Sequence, residues 1–169
     1  MTIALLFPGQ GSQFVGMGRD FYDKYDQAKN VYNQLDMGLN RSLTDLIFNG
    51  TDEEIALTTN SQPAIMATSI AILRCLQYEK LINLANVSYT AGHSLGEYSS
   101  LVATESLDFK DAVKILKVRS EAMQESMPIG TGGMAAIIGS SLSQISKLLP
   151  ELNEIGKIYI ANDNADGQI

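Results

Sequence analysis

The sequence predicts an α/β protein with parallel strands in its first part and a smaller α+β subdomain beginning near Pro128. Three observations predict it. Short apolar runs, "TIALLF" and "VSYTA", have the character of strands and are separated by helical patterns, the order that brings strands together in parallel. The second run leads through "GHSLG" into a further helical segment, a strand–turn–helix unit. After "PIGTGG" the periodicity changes to short alternations of strand-like and helical segments. The expected division is therefore residues 1–127 and 128–169.

The elements follow in order. "TIALLF" reads as a buried parallel strand, and "PGQGSQFVGMG" as a loop. From Arg19 a helix is expected, with Phe21, Tyr25, Ala28, Tyr32 and Leu35 on one apolar face. "SLTDLIFNG" is a short helix with Ser42 as N-cap and Gly50 just past its end. Thr51 and Glu54 have the spacing of a capping box. "SQPAIMATSIAILRCLQYEKLI" is the most apolar helix, with Ser61 as its cap and Pro63 in the first turn, and it carries Cys75 as a core residue. "DFKDAVKILKVRSEAMQESM" is a helix capped by Asp108. "GMAAIIG" and "GKIYIA" are strand-like and flank a helical "SLSQISKLLPEL". The closing "NDNADGQI" has an Asp-Gly turn signal with only Gln168 and Ile169 after it, so the sequence reads as cut before a return strand.

Composition narrows the function classes. The chain has 169 residues, 45% of them apolar, and a net charge of −7, which argues against a nucleic-acid binder. No apolar run approaches the ~18 residues of a membrane span, and the first residues lack the cationic start of a signal peptide. A single cysteine cannot form an internal disulfide, which fits the cytoplasm.

The chemistry-bearing pattern is G-x-S-x-G, Gly92 to Gly96, with Ser94 at its centre. On a sharp strand-to-helix turn such a serine is exposed, and the following N–H groups point toward a developing oxyanion. A Gly-rich turn before an ordinary helix is the competing reading. A serine needs a base, and the one histidine, His93, is its immediate neighbour. "PGQGSQ" lacks the phosphate-loop pattern. It can supply a second oxyanion donor if its strand lies parallel to the one before Ser94. Arg119 falls on the helical stripe of Ala112, Ile115, Leu116, Ala122 and Met123, where a guanidinium requires a carboxylate or phosphate partner, unless its stem packs and its head reaches water. Lys110, Lys114 and Lys117 form a basic strip, read as a solvated face or as a docking site for an acidic partner. "NDNADG" departs from a calcium loop at its first position and ends before the required Glu, so no metal site is expected.

Together "FPGQGSQ", "QPAIMA", "GHSLGEYSSL", "VRSEAMQ" and "GGMAAIIG", in this order, resemble the malonyl-CoA:acyl-carrier-protein transacylases of fatty-acid synthesis along the whole chain. The resemblance implies an α/β-hydrolase-like parallel-sheet core with an inserted ferredoxin-like subdomain that starts at "GGMAAIIG". It implies that Ser94 is the nucleophile, that the backbone N–H groups of Gln10 and Leu95 form the oxyanion hole, and that Arg119 pairs with the malonyl carboxylate. It implies that Gln62 and His93 line the site, His93 not being the base. The family's general-base histidine comes later than the segment matched here, so the chain reads as the first part of the enzyme, a second polypeptide being one place for the remainder, with little activity expected alone. It implies no resident cofactor: malonyl-CoA is the substrate, and phosphopantetheine belongs to the acyl carrier protein. A non-catalytic interaction module and a serine hydrolase of other specificity are the alternatives, and Arg119 argues against the second.

Overall fold

The computed structural model describes residues 2–169. They fall into two compact units, one ending at Pro128 and the other running from Ile129 to Ile169.

In the first unit, strand β1 is Ile3–Phe7 and strand β2 is Val87–Gly92. They pair in parallel, with Leu5 opposite Thr90 and Phe7 opposite Gly92. Between them lie α1 (Arg19–Lys24), α2 (Asp26–Leu39), α3 (Leu43–Asn49), α4 (Asp52–Ala56) and α5 (Thr58–Tyr78). After β2 come α6 (Gly96–Ala103) and α7 (Phe109–Ser126). The second unit contains α8 (Leu142–Ile155).

This corrects the expected fold class. The described chain is mostly helical, and its sheet is one open pair of strands, order β1-β2, not a large parallel-sheet core of the α/β-hydrolase kind. The second unit is not a ferredoxin-like β-rich body either. "GMAAIIG" and "GKIYIA" form no named strand. Residues of the first meet the chain's last residues in an isolated bridge, Ile138 to Gln168, with paired backbone bonds between Ile137 and Ile169. The physical reason is partnership. A short apolar run becomes a strand only where a neighbour takes up its N–H and C=O groups, and among the described residues only β1 and β2 do this for each other over a full strand. The continuous apolar run "TIALLF" also reads as covered on both faces. In the structure Ile3, Leu5 and Phe7 are turned inward, while Leu6 is 79% exposed.

The core lies among helices. α5 packs against α2, α6 and α7, and α6 packs against both strands. Ala28, Val31, Tyr32 and Leu35 of α2 meet Ala64, Met66, Ala67 and Ile70 of α5 in one buried cluster with Ala112, Val113 and Leu116 of α7. The helix expected from Arg19 is two, broken at Tyr25, whose backbone is extended. Thr51 and Glu54 form a capping box, and Asp108 accepts from the Lys110 N–H. Cys75 is buried in α5, and burial pushes its thiol pKa up.

α5 begins at Thr58, three residues before the expected cap. Ser61 is therefore inside the helix, fully buried, with no partner for its hydroxyl. Pro63 is inside as well, and it has no N–H for the carbonyl of Thr59, its i−4 position. Arg41 supplies the missing donor: its Nη2 reaches the Thr59 carbonyl at 2.9 Å. Among the described residues no helix is long and apolar enough to cross a membrane.

Candidate active site

The turn after β2 follows from its glycines. A Cβ on Gly92 would overlap the backbone of Gly96 and Glu97, and one on Gly96 would overlap the carbonyl oxygens of Phe7 and Pro8. Only hydrogen at both positions lets the elbow fold against β1. The turn is closed by backbone bonds from Gly96 N–H to His93 O (2.9 Å) and from Glu97 N–H to Ser94 O (3.2 Å). Ser94 pays with a left-handed backbone, φ 54°, which costs a non-glycine residue about 1–2 kcal/mol. Its side chain is thereby carried to the surface, and Leu95, the N-cap of α6, lies behind it, fully buried.

The parallel register places the "PGQGSQ" loop at the same strand end. The His93 N–H bonds to the Phe7 carbonyl at 3.0 Å, and a Cβ on Gly9 would lie 2.6 Å from His93 Nδ1. The strand adjacency required for this loop to reach the elbow is thus present. Within the loop, Ser12 Oγ donates to the Gly9 carbonyl (2.8 Å). Gln10 reaches Thr58, at the start of α5, through its side chain (3.3 Å). Leu95 is the N-cap of α6, at the end where backbone donors have no partner within the helix.

Arg119 meets Ser94 directly. Its Nη2 donates to Ser94 Oγ at 3.0 Å, and its Nη1 donates to Gln62 Oε1 at 2.5 Å. The guanidinium carbon lies 5.8 Å from the centre of the Tyr98 ring. Gln62 is fully buried, and its Nε2 donates to Met123 Sδ at 3.3 Å. The buried stripe of α7 is not the expected one. It comprises Phe109, Ala112, Val113, Leu116 and Ser120, while Ile115 and Met123 are 41% and 43% exposed. Arg119 stands at the stripe's edge, half-buried.

Ser94, Arg119 and Gln62 are thus brought together, with His93 and the Gln10 loop beside them. Lys110, Lys114 and Lys117 are exposed along α7, and Lys114 pairs with Asp111 at 2.8 Å, which raises its pKa. A cleft of 380 Å³ along β2, lined by Val87, Tyr89 and Glu105 among others, contains none of the site residues. Among the described residues no group of three or more His, Cys, Asp or Glu is placed to hold a metal ion.

Three residues of the site were not singled out for a role there by sequence reasoning: Thr58, Tyr98 and Met123. Each stands four positions from one that was. Tyr98 is one turn beyond Ser94, Met123 one turn beyond Arg119, and Thr58 one turn before Gln62. For Thr58 and Met123 the signal was the i±4 neighbour on the same helix face.

The geometry is thus a serine on a glycine-lined elbow with an arginine on its hydroxyl. A family model described as the acyl transferase domain matches residues 4–162, and the chain belongs to that family. It is 45% identical over 168 residues to the malonyl CoA-acyl carrier protein transacylase of Bacillus subtilis, covering 99% of this chain and 52% of that protein. Among solved structures it is similar to the acyl-carrier-protein-S-malonyltransferase of Bartonella henselae, with a TM-score of 0.90 and 40% identity over 99% of this chain and 54% of the other. It is also similar to a malonyl-transacylase solved in complex with its type II PKS acyl-carrier protein, with a TM-score of 0.87 and 37% identity over 98% of this chain and 52% of that one. The chain spans about half the length of the curated relatives it matches.

Proposed function

We propose that the chain carries the nucleophile, the oxyanion donors and the carboxylate-binding arginine of a malonyl transfer from coenzyme A to the phosphopantetheine thiol of an acyl carrier protein, in the cytoplasm. The observation that carries the reading is the bond from Arg119 Nη2 to Ser94 Oγ. A fixed cation beside the attacking oxygen suits an acyl group that carries its own carboxylate a bond or two from the reacting carbonyl. The relatives named above support the same substrate and partner.

In this reading Ser94 Oγ attacks the thioester carbonyl, and the backbone N–H groups of Gln10 and Leu95 stabilise the oxyanion. The C–S bond then breaks, coenzyme A leaves as the thiol, and a malonyl ester remains on Ser94. The carrier-protein thiol attacks that ester in turn, and Ser94 recovers its proton. His93 and Gln62 line the site. His93 N–H is bonded to the Phe7 carbonyl; the resemblance to the transacylases implies that His93 is not the proton acceptor and that a histidine later in the family's sequence takes that role. Lys110, Lys114 and Lys117 are the docking strip for the acidic carrier protein.

Mass spectrometry of the intact protein after incubation with malonyl-CoA tests the reading. The chain alone should load slowly, and loading should rise when a histidine-bearing second half is supplied. An adduct that persists in Ser94→Ala, or no adduct even with that half present, would overturn it.

A further inference from the structure

Gln62 is a fully buried amide near the start of α5, between the buried Ser61 and Pro63, and its side chain is bonded at both ends. Its Oε1 receives Arg119 Nη1, and its Nε2 reaches Met123 Sδ, one turn beyond Arg119 on α7. The orientation of the amide is set by chemistry. Flipped, it would press an NH2 group against a guanidinium, and two donors cannot satisfy each other. We propose that Gln62, braced by Met123, is the positioning residue for Arg119, and that this clamp sets how strongly the site prefers a carboxylate-bearing acyl group over a plain one.

The argument rests on what an amide does that its alternatives do not. A free arginine side chain carries rotamer entropy that a ligand would otherwise have to remove on binding. The clamp removes it beforehand. A glutamate in the same place would hold the guanidinium as well, but its own carboxylate would occupy the charge that the substrate needs. A methionine would fill the volume and hold nothing. The neutral amide fixes the Nη1 side and leaves the positive charge uncompensated, with Nη2 over Ser94. The buried amide also costs desolvation unless both its ends are bonded, so the sulfur contact has a purpose although sulfur is a weak acceptor.

The inference rests on the malonyl-transfer reading, and two measurements keep the two separable. The first gives the chain equimolar malonyl-CoA and acetyl-CoA, and reads the ratio of the two adducts on Ser94 by intact mass. The parent chain should favour malonyl. Gln62→Met should lower that ratio about tenfold, Gln62→Glu at least as much, and Met123→Leu severalfold. A parent chain that loads acetyl as readily as malonyl would sink the malonyl reading. A parent preference that Gln62→Met and Gln62→Glu leave intact, or a fall in both adducts by the same factor, would overturn the clamp. The second measurement needs no substrate: the resonance of the Arg119 Nη1–H that donates to Gln62, in the nitrogen-15-labelled chain. It should exchange slowly in the parent and in Gln62→Glu, and much faster in Gln62→Met. Equal exchange in the parent and Gln62→Met would overturn the clamp whatever the adducts show.

Discussion

Arg119 is where single-residue chemistry decides most. A charge-assisted bond from its guanidinium to a substrate carboxylate is worth about 1.5–3 kcal/mol. Arg119→Ala should therefore lower kcat/KM for malonyl-CoA roughly ten- to hundredfold in an enzyme completed by its second half. Acetyl-CoA, with no carboxylate, should lose far less, and Arg119→Lys should restore little because an ammonium lacks the planar fork. Equal losses for the two thioesters would leave Arg119 a structural residue. Tyr32 makes a second prediction. Its ring is fully buried and its hydroxyl bonds to Thr68 Oγ1 (2.9 Å) and the Met17 carbonyl (3.2 Å). Burial pushes its pKa up to about 12. The unfolded chain, with an ordinary tyrosine near 10, loses the proton first, so stability is intact below pH 10 and falls as pH rises toward 12. Denaturant unfolding should show a loss of about 2–3 kcal/mol across that window, and Tyr32→Phe should flatten it.

At the level of the element, α5 and the elbow carry the predictions. The Thr59 carbonyl is left without a helical donor by Pro63 and served by Arg41. Arg41→Met should cost about 0.5–1.5 kcal/mol. Pro63→Ala restores the helical N–H, so the same Arg41 change should cost measurably less in that background. Additive losses in the double-mutant cycle would separate the two residues. Gly96→Ala should destabilise by about 1–3 kcal/mol through overlap with the Phe7 and Pro8 carbonyls, and should move the Gln10 loop away from Ser94. A Gly96→Ala chain as stable as its parent would show that the elbow has room. These elements also show what was legible. The elbow, the capping box at Thr51 and the Asp108 cap all follow from local residue chemistry, which one sequence contains, whereas the β1–β2 adjacency entered only as a condition because it joins distant segments. The start of α5 was missed because Ser61 and Pro63 mimic a helix entrance, while the bond that lets Pro63 sit inside comes from Arg41, some twenty residues away. The stripe of α7 was misread by a fraction of a turn, since periodicity gives a repeat but not which neighbour the helix faces. The strands of the second unit were misjudged for a related reason: an apolar run states a preference, and a ladder needs a partner.

At the scale of the whole molecule, the net charge of −7 and the three lysines on α7 pull in opposite directions. Charge reversal at Lys110 and Lys117 should raise KM for an acidic carrier protein more than for malonyl-CoA, and the difference should shrink with salt. Lys114 should contribute less, because Asp111 already pairs with it. An unchanged KM for the carrier protein would leave the strip as ordinary solvated surface.

The register that sets Phe7 beside Gly92 also fixes the order in which the site can be assembled. The two strands are separated by roughly 85 residues of chain, and closing a loop of that length costs about 4 kcal/mol of entropy before the ladder returns anything. The helices between them form from neighbours in sequence and can condense first. The "PGQGSQ" loop, made first on the ribosome, must therefore wait for Ser94 to emerge before either has its partner. Folding of this unit should be limited by that late meeting, and changes within β1 should act on the folding rate only as far as the strand pair is already formed at the barrier.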